Sequence, residues 1–187
     1  MKKMILMAAM FVASVAAMAQ NAVGSFSVTP KIGLNVADLT DFENTDMRLG
    51  VAVGAELQYQ ASDLFAISGG LLYSMQGCKL NDFTTKVDYI NVPILANVYV
   101  VKGLAVKLGI QPGFNVNSSV SYKSSLSKGD SDVDAKTVDF SIPVGLSYEF
   151  NNIVLDARYN WGLTKVFEGS DAKNSVFQFT VGYKFGL

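Results

Sequence analysis

Through most of this chain apolar side chains recur at every second residue, a spacing that gives an extended strand one oily and one polar face. The terminal run shows it plainly: Phe177, Phe179, Val181, Tyr183, Phe185 and Leu187 alternate with Gln178, Thr180, Gly182, Lys184 and Gly186. Helical spacing fails in nearly every window, because the apolar residues fall at i, i+2 and i+4. Hydrophobic residues make up 50% of the chain, yet beyond the N-terminus no long apolar run collects them, which excludes helical spans. Hydrophobicity delivered only by alternation is the pattern of a transmembrane barrel.

Eight such runs are legible, at residues 27–37, 48–59, 64–76, 86–99, 104–116, 137–150, 153–163 and 176–187. Roughly 11 residues at ~3.3 Å rise, tilted by ~40°, span about 28 Å, close to the apolar band of an outer membrane. The connections at 60–63, 100–103 and 151–152 are short, whereas those at 38–47, 77–85, 117–136 and 164–175 are longer. Strict alternation puts every long loop at one rim and every turn at the other. That is the outer-membrane pattern, with both termini on the periplasmic side. A Greek-key sandwich has no reason to segregate lengths this way.

Periodicity alone leaves the direction of the oily face open, and a lipocalin-like soluble barrel is the competing fold. The polar face is dominated by Gly, Ser, Asn and Gln, with few charges; a solvated exterior usually carries more Lys and Glu. Aromatics gather toward strand ends, with Tyr59, Phe65, Phe150 and Tyr183 near the turns and Tyr73, Phe114, Phe140, Trp161 and Phe177 near the loops. Two belts of amphipathic rings suit membrane interfaces. The expected fold is therefore all-β, an eight-stranded antiparallel up-and-down transmembrane barrel preceded by a cleavable signal peptide.

That signal is read at residues 1–19. Lys2 and Lys3 give a short positive region, residues 4–15 are apolar except Ser14, and Ala17-Met18-Ala19 fits small-x-small cleavage before Gln20. The barrel domain is then 20–187, in the outer membrane of a Gram-negative envelope. No cysteine sits at the cleavage point, which argues against a lipid anchor. Without Lys2 and Lys3 the chain holds 13 basic and 16 acidic groups, no electrostatic case for nucleic acid.

Seven charges in the inward phase form the candidate site: Lys31, Glu56, Lys107, Glu149, Asp156, Arg158 and Lys184. Neighbouring strands suggest Lys31 facing Glu56, Lys107 facing Glu149 and Lys184 beside Asp156, with Arg158 at mid-height and Arg48, Asp88 and Asp139 nearer the loops. The two readings are a paired salt-bridge plug and a gated path for a small solute; an eight-stranded interior just wide enough for side chains favours the plug. Pro93, Pro112 and Pro143 fall inside strands, where each removes a ladder donor, and local bulges are expected there. A lateral opening is the alternative.

No catalytic, cofactor or metal residues are assigned. Cys78, in the second long loop, has no histidine to activate it, since the chain contains none. Asp38, Asp41, Glu43 and Asp46 lack the ordered ligand spacing of a calcium loop. The third loop, rich in Ser, Lys and Asp, is expected to stay mobile and to be the natural adhesive segment.

Several segments carry a family resemblance: residues 31–39 (KIGLNVADL), 70–77 (GLLYSMQG), 88–93 (DYINVP), 142–148 (IPVGLSY) and 157–164 (ARYNWGLT). Together they resemble the PorT-like small outer-membrane β-barrel proteins over nearly the whole mature chain. Such barrels often finish on Phe, whereas here Gly186 and Leu187 follow Phe185. The resemblance implies a barrel and its location but no activity, although some members are linked to protein secretion. The expected role is non-enzymatic, structural or surface-interacting; a transport or secretion component is the alternative. Expected partners are outer-membrane lipid, a surface ligand or secretion complex, and the export and barrel-assembly machinery.

Overall fold

The computed structural model describes residues 22–40, 46–80, 83–124, 127–132 and 135–187. The expected signal segment, with Asp41 and Glu43 of the first loop, lies outside the described residues. Extended segments build a ring of eight staves. The first three are β1 (Phe26–Leu39), β2 (Asp46–Ser62) and β3 (Phe65–Leu80). The fourth is split into β4 (Phe83–Asn91) and β5 (Ile94–Val101), and the fifth is β6 (Leu104–Ser124), onto whose far end β7 (Ser127–Asp132) folds back. Then come β8 (Val138–Phe150), β9 (Ile153–Gly162) and β10 (Asn174–Tyr183), the last continued by β11 (Phe185–Gly186). Antiparallel pairing of β10 with β1, from Lys31↔Gly182 to Leu39↔Asn174, closes the ring. Closure gives backbone groups ladder partners where lipid offers none.

The phase of the side chains settles which way the barrel faces. Ile32 and Leu34 are each 56% exposed and Phe179 52%, whereas Asn35 and Asn97 are wholly buried. Apolar residues clothe the outside and polar ones fill the middle, the reverse of a lipocalin-like barrel. Inward glycines let the wall curve tightly. A Cβ at Gly33 would lie 1.9 Å from the Phe179 carbonyl oxygen, and one at Gly54 would lie 2.0 Å from that of Leu71. At the shortest turn Asn151 takes a positive φ of 52°, as a two-residue hairpin requires.

The prolines behave differently from the bulges expected of them. At Val92–Pro93 the fourth stave loses its ladder, yet the register with β3 and β6 is the same on both sides of the gap. Pro143 lies where the β6–β8 ladder lapses between Leu108↔Val144 and Gln111↔Ser141, again without a shift. Pro112 stays paired, opposite Phe140. The bulge near them falls instead at Val116, between Asp88↔Asn117 and Tyr89↔Asn115. A missing donor deletes a bond; it does not oblige the chain to insert a residue. Pro30 acts similarly, since β1 pairing lapses between Lys31↔Gly182 and Val28↔Phe185. On the other side of the β10 stave the β9 ladder continues past the lapse, with the Lys184 amide donating to the Asn152 carbonyl at 2.6 Å.

Two loop expectations are also corrected, and the connection after β9 adds a feature of its own. The connection at 77–85 is mostly strand, with Leu80 paired to Phe83, so Cys78 is a buried strand residue and not a loop thiol. The third loop, expected to be mobile, continues β6 and returns as β7, with Ser124 opposite Ser127. The connection at 164–173 folds inward. Val166 and Ala172 are buried, and the Thr40 amide donates to the Lys173 carbonyl at 2.9 Å.

Candidate functional site: the charged lumen

Alternation along each strand delivers the charged side chains to the bore, and register decides which of them meet. Lys31 enters from β1, Glu56 from β2, Lys107 from β6, and Asp156 and Arg158 from β9. Glu56 Oε2 lies 2.8 Å from Lys31 Nζ and 3.4 Å from Lys107 Nζ, while Oε1 lies 2.6 Å from Arg158 Nη2. Asp156 Oδ2 lies 2.7 Å from Lys107 and 3.8 Å from Lys31, and Oδ1 accepts from Arg158 Nε at 2.8 Å. Each carboxylate therefore meets all three cations. These five side chains are at most 5% exposed, so charge pairing rather than water compensates their desolvation.

The expected facing of Lys31 and Glu56 is observed. Two other expected pairs exchange partners. Lys107 meets Asp156, not Glu149, and Lys184 meets Glu149, at 2.5 Å, not Asp156. The reason is Gly145, which stands opposite Lys107 on one side and Arg158 on the other. With no side chain between them, Lys107 reaches over β8 to β9. Glu149, four residues nearer the turns, is left for Lys184. Tyr99 closes this lower layer, donating to Glu149 Oε1 at 2.8 Å and accepting from Gln58 Nε2 at 2.8 Å.

Toward the loops the bore is lined by amides and hydroxyls. Asn35 Nδ2 donates to Ser74 Oγ at 2.9 Å, Gln111 Nε2 to Ser141 Oγ at 3.2 Å, and Asn160 Nδ2 to Gln178 Oε1 at 3.1 Å. Higher still, Arg48 pairs with Asp88 at 3.4 Å, and Asp139 accepts from Thr164 Oγ1 at 2.5 Å and from Asn174 Nδ2 at 3.2 Å. An apolar cluster of Leu39, Cys78, Val87, Tyr89 and Val166, packed against Ala135 and Phe167, caps this end. It is fastened by the Lys136 amide donating to the Val166 carbonyl at 2.8 Å and by the Val166 amide donating to that of Ala172, also at 2.8 Å. Outside the bilayer band, Lys165 lies 2.5 Å from Asp171 and holds its carboxyl below the usual range. Sequence reasoning missed this cap, because Val166 and Phe167 stand alone in a polar loop with no period to mark them.

Paired charges and amides fill the bore, and the apolar wall around it is made to sit in lipid. Comparisons with known proteins agree on that setting. The chain is similar to the crystal structure of Ail, the attachment invasion locus protein of Yersinia pestis, with 16% identity and a TM-score of 0.51 over 88% of this chain and 100% of that one. It is also similar to Neisserial surface protein A, with 16% identity and a TM-score of 0.53 over 86% and 97%. At such identities the likeness is one of fold. No curated protein matches the chain. The sequence model of the outer membrane protein beta-barrel domain matches residues 18–168, and with that match, the closed ring and the lipid-facing phase, the chain belongs to the outer membrane β-barrel domain family.

Proposed function

We propose that this chain is a non-enzymatic integral outer-membrane protein whose barrel is a closed scaffold and whose work is done at its loop rim, as a structural or surface-interaction protein. The observation that carries this reading is the five-charge cluster across the bore, each of its side chains nearly inaccessible. The apolar cap closes the same bore a second time. In this reading residues 1–19 are a cleaved signal, residues 20–187 the mature barrel, and both termini face the periplasm. Export and barrel-assembly machinery then deliver it. The chain has no histidine, which removes the commonest general base from any catalytic scheme.

The loop rim supports contact with an outside ligand. The far end of β6, from Ser118, and β7 form a hairpin of mostly serine, lysine and aspartate, a polar projection suited to reversible surface contacts. Ail has been crystallised with the heparin analogue sucrose octasulfate, so a small barrel of this fold can carry a ligand. Resemblance of residues 88–93 to the PorT-like signature favours a second reading, in which the rim docks onto a secretion complex. Crosslinking and pull-down from native membranes separates the two, by recovering either an envelope partner or none. The plug itself is tested by conductance. The purified barrel in planar bilayers is expected to pass negligible current; stable single-channel steps in the wild-type chain would overturn the closed-scaffold reading.

A further inference from the structure

The five-charge cluster does not balance. It holds three cations, Lys31, Lys107 and Arg158, against two carboxylates, Glu56 and Asp156. Glu149 is engaged by Lys184 and Asp88 by Arg48. Asp139 is held among neutral donors near the cap. Among the described residues, the cluster in the middle of the bore therefore carries one positive charge in excess. A buried net charge is costly unless something compensates it.

Unused donors sit beside that excess. Arg158 spends Nε and Nη2 on Asp156 and Glu56, while its Nη1 is buried without a hydrogen-bond partner among the described residues. Gln178 lies directly opposite Arg158 in the β9–β10 register, and Thr180 opposite Asp156. Such partners bring their Cβ atoms to within about 5 Å on one face of the sheet. Gln178 Oε1 is taken by Asn160, while its Nε2 and the Thr180 hydroxyl are also buried and without a partner among the described residues. Arg158 and Gln178 are 3% and 2% exposed. Among the described residues, three orphaned donor groups from two adjacent strands thus occupy neighbouring register positions beside the cluster's excess positive charge.

We propose that the lumen holds a binding site for one small monovalent inorganic anion of chloride size, gripped by Arg158 Nη1, Gln178 Nε2 and the Thr180 hydroxyl. The anion completes the cluster as three positive against three negative charges, and it binds the folded barrel only. It belongs to the interior of the plug and goes beyond the proposed scaffold role, which does not require it.

Ligand linkage gives the test, since an anion that binds only the folded state raises stability with its concentration. The full mature chain, folded in detergent, is unfolded by urea at constant ionic strength in sodium chloride or in sodium gluconate, whose anion is too large to enter. The midpoint is expected to rise with chloride and not with gluconate. Gln178→Glu places a carboxylate where the anion would sit, so its midpoint in gluconate should reach that of the wild type in chloride and no longer respond to chloride. Equal midpoints of the wild type in the two salts would overturn the site. So would a full chloride response retained by Gln178→Glu, which would mark a general salt effect. If that variant does not fold, chloride-35 line broadening by the folded wild type is compared with Gln178→Leu. Broadening lost in the variant supports the site; equal broadening overturns it. Bilayer conductance stays negligible whichever result is obtained, so the scaffold reading stands or falls separately.

Discussion

Arg158 Nη2 lies 2.6 Å from Glu56 Oε1, joining side chains 102 residues apart in the chain. This contact spans the bore from β9 to β2, staves that share no ladder. It ties opposite walls directly, and Lys31 and Lys107 brace the same carboxylate from two more staves.

Because cations outnumber carboxylates in this cluster, losing an anion should hurt more than losing a cation. Glu56→Ala leaves three facing cations and one carboxylate, and is expected to cost about 3–5 kcal/mol, the usual scale for an orphaned buried ion. Lys31→Met relieves the imbalance and should cost about 1 kcal/mol or less. Urea unfolding of detergent-folded protein in sodium gluconate measures both; the reverse order would contradict the charge arrangement.

Gly33 faces the Phe179 carbonyl oxygen so closely that any side chain strikes backbone, which cannot rotate away. Gly33→Val is expected to prevent ring closure, seen as loss of the heat-modifiable folded band on gels. Gly186→Ala, where an added Cβ meets nothing within 4 Å, should fold as the wild type does.

Phe179 points into lipid near the middle of β10. Phe179→Arg is therefore expected to destabilise by about 2–4 kcal/mol, whereas Ile153→Arg, at the turn rim, should cost ~0–1 kcal/mol. Refolding yields into liposomes over a urea series report the difference. Equal costs would place the apolar band elsewhere.

The cap makes Cys78 a reporter, since it is the chain's one cysteine and is 4% exposed beneath Val166. Val166→Asp should lift the cap and leave the ring intact. Every 1.4 kcal/mol taken from the closed cap raises the open fraction about tenfold, so maleimide labelling of Cys78 should accelerate at least that much while the folded band persists. Unchanged labelling would show that Val166 does not hold the cap down.

The eight staves, their phase and the positions of the turns are legible along the chain, because these depend on local alternation and on which residues tolerate a tight bend. The same alternation places Lys31, Glu56, Lys107, Glu149, Asp156, Arg158 and Lys184 on the inward face. Which charges meet emerges only once the ring has closed. Distance from a strand end does not give height in a tilted, sheared barrel, and Gly145 opens a sideways reach from Lys107 to Asp156 that no pairwise reading of adjacent strands contains. The inward fold of residues 164–173 was likewise hidden, since Val166 becomes apolar core only when Leu39, Cys78, Val87 and Tyr89, far apart in the chain, are brought to one rim. Local periodicity fixes the direction a side chain faces; closure of the ring fixes what it meets.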